Sequence, residues 1–143
     1  MTNYTFANVD KWFSMAEQRM ELVAKEALNE LLSSTEIVPG RMLGGSPRRG
    51  QIPRYTGHLA SSLVTELQGG ITTSAGSKSY VMGIAHLGIG DSIAFTWTAE
   101  YAYTVHYGGS TFPGTYWIDD MAIRWPSAVQ RAAAKVKGIF GAN

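Results

Sequence analysis

The run from Ser92 to Gly109, SIAFTWTAEYAYTVHYGG, constrains the fold more than any other part of this chain. Ile93, Phe95, Trp97, Ala99, Tyr101, Tyr103, Val105 and Tyr107 occupy its odd positions. Small or polar residues such as Ala94, Thr96, Thr98 and Thr104 occupy the even ones. Such period-2 alternation marks a strand with one face on a core. At ~3.3 Å per residue an unbroken strand of this length would span roughly 50 Å, more than twice the usual span. A break is therefore expected. Thr98 is placed to cap a helix and Gly108 to end one. The reading is a strand over 92–98, then a short helix or a bent strand over 99–107. In the helical register Tyr101 and Val105 share a face. The odd-numbered aromatics are expected to be the apolar body on which the other elements pack.

Residues 9–34 carry helical spacing, with Val9, Trp12, Phe13, Ala16, Met20, Val23, Ala27, Leu28, Leu31 and Leu32 on one stripe. Asn8 is placed to cap it, Asp10 suits its first turn, and Pro39-Gly40 bounds it. The broad stripe is expected to pack on a sheet. A short helix over 57–67 follows, capped by Thr56, with Leu59, Leu63, Val64 and Leu67 on one side and Gly69-Gly70 as its stop. Strands are expected over about 71–98, with 79–86 and 92–98 forming an antiparallel hairpin. A C-terminal helix over 116–137 carries Trp117, Met121, Ala132 and Val136, and Pro126 either kinks it or starts a second helix. The expected fold class is α+β. A small antiparallel sheet packs against a long N-terminal helix and a C-terminal helix, with a long mobile loop, as a single domain over 1–143.

That loop, 36–56, holds three prolines, several glycines and four arginines against one acid. Loops of this length in a compact domain are usually functional or mobile. Arg41, Arg48, Arg49 and Arg54 are the candidate contacts to an acidic partner or to phosphates, with Tyr55 beside them as a stacking residue. A second loop, 108–114, carries Phe112.

Composition excludes several classes. There is no cysteine, hence no disulfide scaffold, thiolate metal site or thiol nucleophile. Net charge is +1, too small for a strong field towards nucleic acid or membrane. No apolar run reaches membrane-spanning length, and the N-terminus lacks the features of a signal peptide, so a cytosolic origin is expected. His58, His86 and His106 stand in no metal-binding spacing. His106, with Glu100 and Ser110 or Thr104, resembles a hydrolase fragment without a nucleophile elbow. Asp119 and Asp120 are adjacent on a helix and so point about 100° apart. No metal, cofactor or enzymatic activity is expected.

Two segments resemble a known family. Pro53-Arg54-Tyr55-Thr56-Gly57-His58-Leu59-Ala60-Ser61-Ser62 is similar to the P-x-x-T-G-x-L-x-x-S signature of the neck and tail-completion (tail-terminator, minor tail) proteins of long-tailed bacteriophages. Tyr101-Ala102-Tyr103-Thr104-Val105-His106-Tyr107-Gly108 resembles the same family's Y-A-x-x-V-E-x-G, with His106 in place of the acid and Gly109 in place of a following Thr. Tyr116-Trp117, Ala122 and Trp125-Pro126 resemble its aromatic lead-in to a C-terminal helix.

The resemblance implies a virion structural protein, assembled in the host bacterial cytoplasm into a ring, commonly a hexamer, at the head–tail junction. Implied partners are copies of itself, adjacent neck or connector and tail-tube proteins, and DNA in transit through the lumen, with no membrane. Arg41, Arg48, Arg49, Arg54, Tyr55, His106 and Phe112 are its expected interaction residues, on arms reaching neighbouring subunits. The alternatives are a nucleic-acid-binding module using the arginine-rich loop and a small hydrolase using His106.

Overall fold

The computed structural model describes residues 6–68, 70–110 and 112–140. The expected roles of the Val9, Asp10 and Trp12 side chains, and of Gly69, lie outside the described residues. Helix α1 runs Phe6–Ser34, so Asn8 lies inside it and is not its cap. Helix α5 runs Trp117–Phe140 without interruption, with Pro126 inside it. Pro126 therefore neither ends this helix nor opens another.

The two helices pack side by side and antiparallel, and three polar ties fix their register. Arg124 donates to Ser34 Oγ and Thr35 Oγ1, Arg131 pairs with Glu30, and Lys135 pairs with Glu26. Beneath these ties Ala27, Leu31 and Leu32 of α1 meet Ala128 and Ala132 of α5 in one core cluster. The α1 stripe, expected to face a sheet, is thus largely taken up by a helix. Glu26 and Glu30 of α1 serve that contact.

Strands β3 (Leu63–Leu67) and β4 (Ile93–Trp97) form the antiparallel sheet, with Leu63 opposite Trp97 and Leu67 opposite Ile93. β4 falls within the expected strand, and Ile93, Phe95 and Trp97 are its half-buried face. Its partner differs from the expected one. The helix over 57–67 shrinks to α2 (His58–Ser61), because Ser61 and Ser62 turn their hydroxyls back onto the carbonyls of Gly57 and Leu59. β-Branched Val64 and Thr65 then favour extension, which turns Leu63, Thr65 and Leu67 to the core.

Residues 79–86, expected as a strand, form helix α3 (Ser79–Ala85) instead. Half-buried Tyr80 and buried Gly83, Ile84 and Leu87 recur at helical spacing, while Val81 and Met82 are exposed. Ser79 anchors the start by donating to Leu63 O at 2.7 Å. The expected 79–86/92–98 hairpin is therefore absent, and β3 takes its place beside β4.

Residues 36–56 are also more ordered than a mobile loop. Strand β1 (Ile37–Pro39) pairs in parallel with β2 (Ile52–Arg54), and a 3-10 turn covers Arg41–Leu43. Gly40 N donates to Arg54 O at 2.8 Å and Ile52 N to Glu36 O at 2.8 Å. Prolines lack a donor, yet both strands tolerate one because the ribbon has only two strands and each has a free edge.

Within 99–107, Glu100 and Tyr101 form a turn and helix follows: α4 is Ala102–Tyr107, ended by Gly108 at φ 91°. Once the backbone turns helical, the odd-position aromatics no longer share a face. Tyr101, Tyr103 and Tyr107 are consequently exposed.

Gly83 of α3 packs closely against Thr65 of β3. A Cβ there would lie 2.2 Å from Thr65 Cγ2, and Thr65 is fully buried. Gly83→Ala is expected to lower stability by about 1–3 kcal/mol through overpacking. Urea unfolding would show this as a lower midpoint with an unchanged slope.

Candidate functional site: an aromatic cleft with an arginine rim

The segment after α1 and the segment before α5 meet at one end of the helix pair. Gly50 N donates to Thr115 O at 2.6 Å and joins the two. The 108–114 loop folds back on α4: Gly109 N donates to Phe112 O, Thr115 N to Val105 O and Tyr116 N to His106 O. Gly114 permits this, since a Cβ there would lie 2.2 Å from His106 O. Both stretches expected to be free arms are thus tied down.

Between them lies a cleft of about 430 Å³, within the ~300–1,000 Å³ usual for binding sites. Pro47, Pro53 and Tyr55 line it from the β1–β2 side; Tyr101, Val105, Phe112 and Pro113 line it from the α4 side. Gly40 lets the Tyr55 ring lie close over the backbone, as a Cβ there would sit 2.3 Å from the ring. Arg41 and the 89% exposed Met42 stand at the mouth. Arg41 is the one charged side chain among the described lining residues. Buried Thr115 also lines the cleft, and its hydroxyl has no hydrogen-bond partner.

Of the expected interaction residues, Arg41, Tyr55 and Phe112 come together here. Arg48, Arg49, Arg54 and His106 do not line the cleft. Arg49 lies over the Tyr116 ring, 5.2 Å from its centre. Arg48 and Arg54 are exposed. Among the described residues no carboxylate forms an ion pair with any of the four arginines. Tyr101 and Val105 were not singled out as site residues, although their shared helical face was legible. Thr115, Pro47 and Pro113 carried no such signal, because they converge only through long-range folding.

His106, expected as an interaction residue, is packed inside the fold. It is only 4% exposed and is ringed by Tyr107, Trp117 and Tyr116 at 4.5, 5.0 and 5.4 Å between ring centres. Neither ring nitrogen has a hydrogen-bond partner. Asp119 Oδ1 lies 3.9 Å from Nε2, beyond hydrogen-bond reach. No relay therefore links His106 to Ser110, Thr104 or Glu100. Asp119 and Asp120 diverge, as their adjacency implied, with Asp119 towards His106 and Asp120 bonded to Arg124. Among the described residues no group of three or more histidines and carboxylates could hold a metal, and no helix is long and apolar enough to cross a membrane.

The segments 53–62 and 101–108 approach each other at the cleft. Pro53, Tyr55 and Thr56 line one wall and Tyr101 and Val105 another, and the His58 and Tyr101 rings lie 5.9 Å apart. No protein-family model matches the chain, and no curated protein or solved structure matches it significantly.

Burial pushes the His106 pKa below 6.5; the Asp119 carboxylate opposes the shift and the Arg49 guanidinium adds to it. Folded His106 binds its proton more weakly than the unfolded chain does. Stability contributed by neutral His106 is therefore present above pH 6.5 and is lost as pH falls towards the lowered value. Urea unfolding on either side of pH 6.5 is expected to show this loss. In His106→Gln the difference between the two pH values should shrink.

Proposed function

We propose that this chain is a virion structural protein. Copies of it form a ring at a phage head–tail junction, complete the tail tube and join it to the head while DNA passes through the lumen. The observation that carries this reading is the meeting, at one cleft, of the two sequence segments that resemble the neck and tail-completion family. Segments far apart in sequence that converge on one exposed surface are readily explained as one contact surface.

A second surface supports assembly. The last of the α1–α5 ties is Lys135–Glu26, and α5 is described as far as Phe140. The turns of α1 before about Glu21 therefore lie beyond the described part of α5. Met15 is 40% and Met20 61% exposed there, on the pole opposite the cleft. Two different surfaces at opposite poles suit the heterologous contacts from which rings and stacks are built. In this arrangement α1 meets a neighbouring copy and the cleft faces the adjacent neck or tail-tube protein.

Exposed Arg41, Arg48 and Arg54 beside Tyr55, without carboxylate partners, favour one second reading, a nucleic-acid-binding module. A steep fall of oligonucleotide binding with salt at micromolar affinity would select it over the ring.

Light scattering on the purified protein, alone and with tail-tube protein, tests the ring. A closed oligomer is expected, and Met20→Glu should weaken its association about tenfold or more. Replacing Arg41, Arg48, Arg49 and Arg54 together by Ala is expected to leave the fold intact and to block joining of heads to tails. Normal virion yield from that variant would refute the role.

A further inference from the structure

We infer that the cleft between the β1–β2 segment and α4 captures an acidic protein segment by one aromatic side chain. This rests on the assembly reading only for the source of the segment, an adjacent protein of the stack. The chemistry comes from the walls. Tyr55, Tyr101 and Phe112 present three rings, and Pro47 and Pro53 add flat apolar surface without donors. An aromatic side chain fills such a space with stacked or edge-on contacts, each worth more than its area alone.

The sign of the partner comes from the rim. Arg41 stands at the mouth, and it and exposed Arg48 and Arg54 on the same segment are without an ion-pair partner among the described residues. Three such guanidiniums spread over β2 and the turn before it exceed what one small carboxylate can meet. An extended chain with acids on both sides of its aromatic residue satisfies them. At the floor the Thr115 hydroxyl has unused hydrogen-bonding capacity, which a main-chain group of the inserted segment can take up. Nucleic acid fits less well, since the proline walls lack the backbone N–H donors that phosphates recruit.

The test uses the full chain and three fluorescein-labelled probes. One is the peptide Gly-Glu-Asp-Phe-Asp-Glu-Gly. The second carries Lys at each acidic position. The third is a short single-stranded oligothymidine. Anisotropy is read at low and high salt, and light scattering on the same samples records the oligomeric state.

Saturable binding of the acidic peptide is expected, with little binding of the lysine peptide. Arg41→Glu should weaken it about tenfold. Phe112→Ala should weaken it with its charge response intact, as the far-end control Lys137→Glu leaves it unchanged. Circular dichroism confirms that each variant is folded. Amide NMR shifts on adding peptide should centre on residues 41–56 and 101–115. Equal binding of both peptides overturns the proposal, as do an equal loss in Lys137→Glu, tighter binding of the oligonucleotide, or no saturation at millimolar peptide. Peptide capture by a protein that stays monomeric both alone and with tail-tube protein would sustain the cleft's chemistry and sink the ring, so the two failures are separable.

Discussion

The structure turns on the burial of Trp117. It is the first residue of α5, is fully buried, and its indole lies edge-on to Trp97 of β4 at 5.8 Å and to His106 of α4 at 5.0 Å. One side chain thus joins the sheet, the short helix and the long helix. Its position is held from behind by Tyr116, whose φ of 48° is unusual for a residue with a side chain. Tyr116 N bonds to His106 O, its hydroxyl to Tyr107 O, and Arg49 covers its ring. Such backbone strain persists only where the surroundings over-determine it, and here three contacts do so.

From that anchor the cleft follows. With α5 fixed at Trp117, Thr115 is brought against Val105 O and Gly50 N. The arginine-rich segment is thereby tied to the α4 side, and the gap left between the prolines, the tyrosines and Phe112 is the cleft. The cleft is a product of chain closure, with walls drawn from segments that share no local pattern.

Strong local periodicity read correctly from sequence. The α1 stripe, the β4 alternation and the α5 spacing each stand out over several turns or residues, and with them the α+β class. Where two periods competed, tertiary contact decided. Tyr80, Met82 and Ile84 alternate like a strand, yet Tyr80, Gly83, Ile84 and Leu87 also fit a helix, and the space Gly83 opens above Thr65 favours the helix. Leu59, Leu63 and Leu67 fit a helix equally well, yet Ser61 and Ser62 cut it short. The β1–β2 pairing was hidden for another reason: three-residue strands rich in proline carry almost no local signal, and parallel pairing is long-range by nature. The cleft was legible in part, through Arg41, Tyr55 and Phe112. Arg48 and Arg54 shared the same composition signal but line no part of it, and His106 looked like an exposed contact while being packed among rings.

The stretch of α1 beyond the described part of α5 has a thermodynamic consequence. Met15, Ala16, Glu17, Gln18, Arg19, Met20, Glu21 and Leu22 are nearly all strong helix formers. Nucleation, the costly step in helix formation, is already met by the packed half of the same helix. That stretch therefore propagates as helix from a pre-existing seed. A neighbour that docks there meets a preorganised rod and forfeits little chain entropy, so modest apolar area suffices for reversible association.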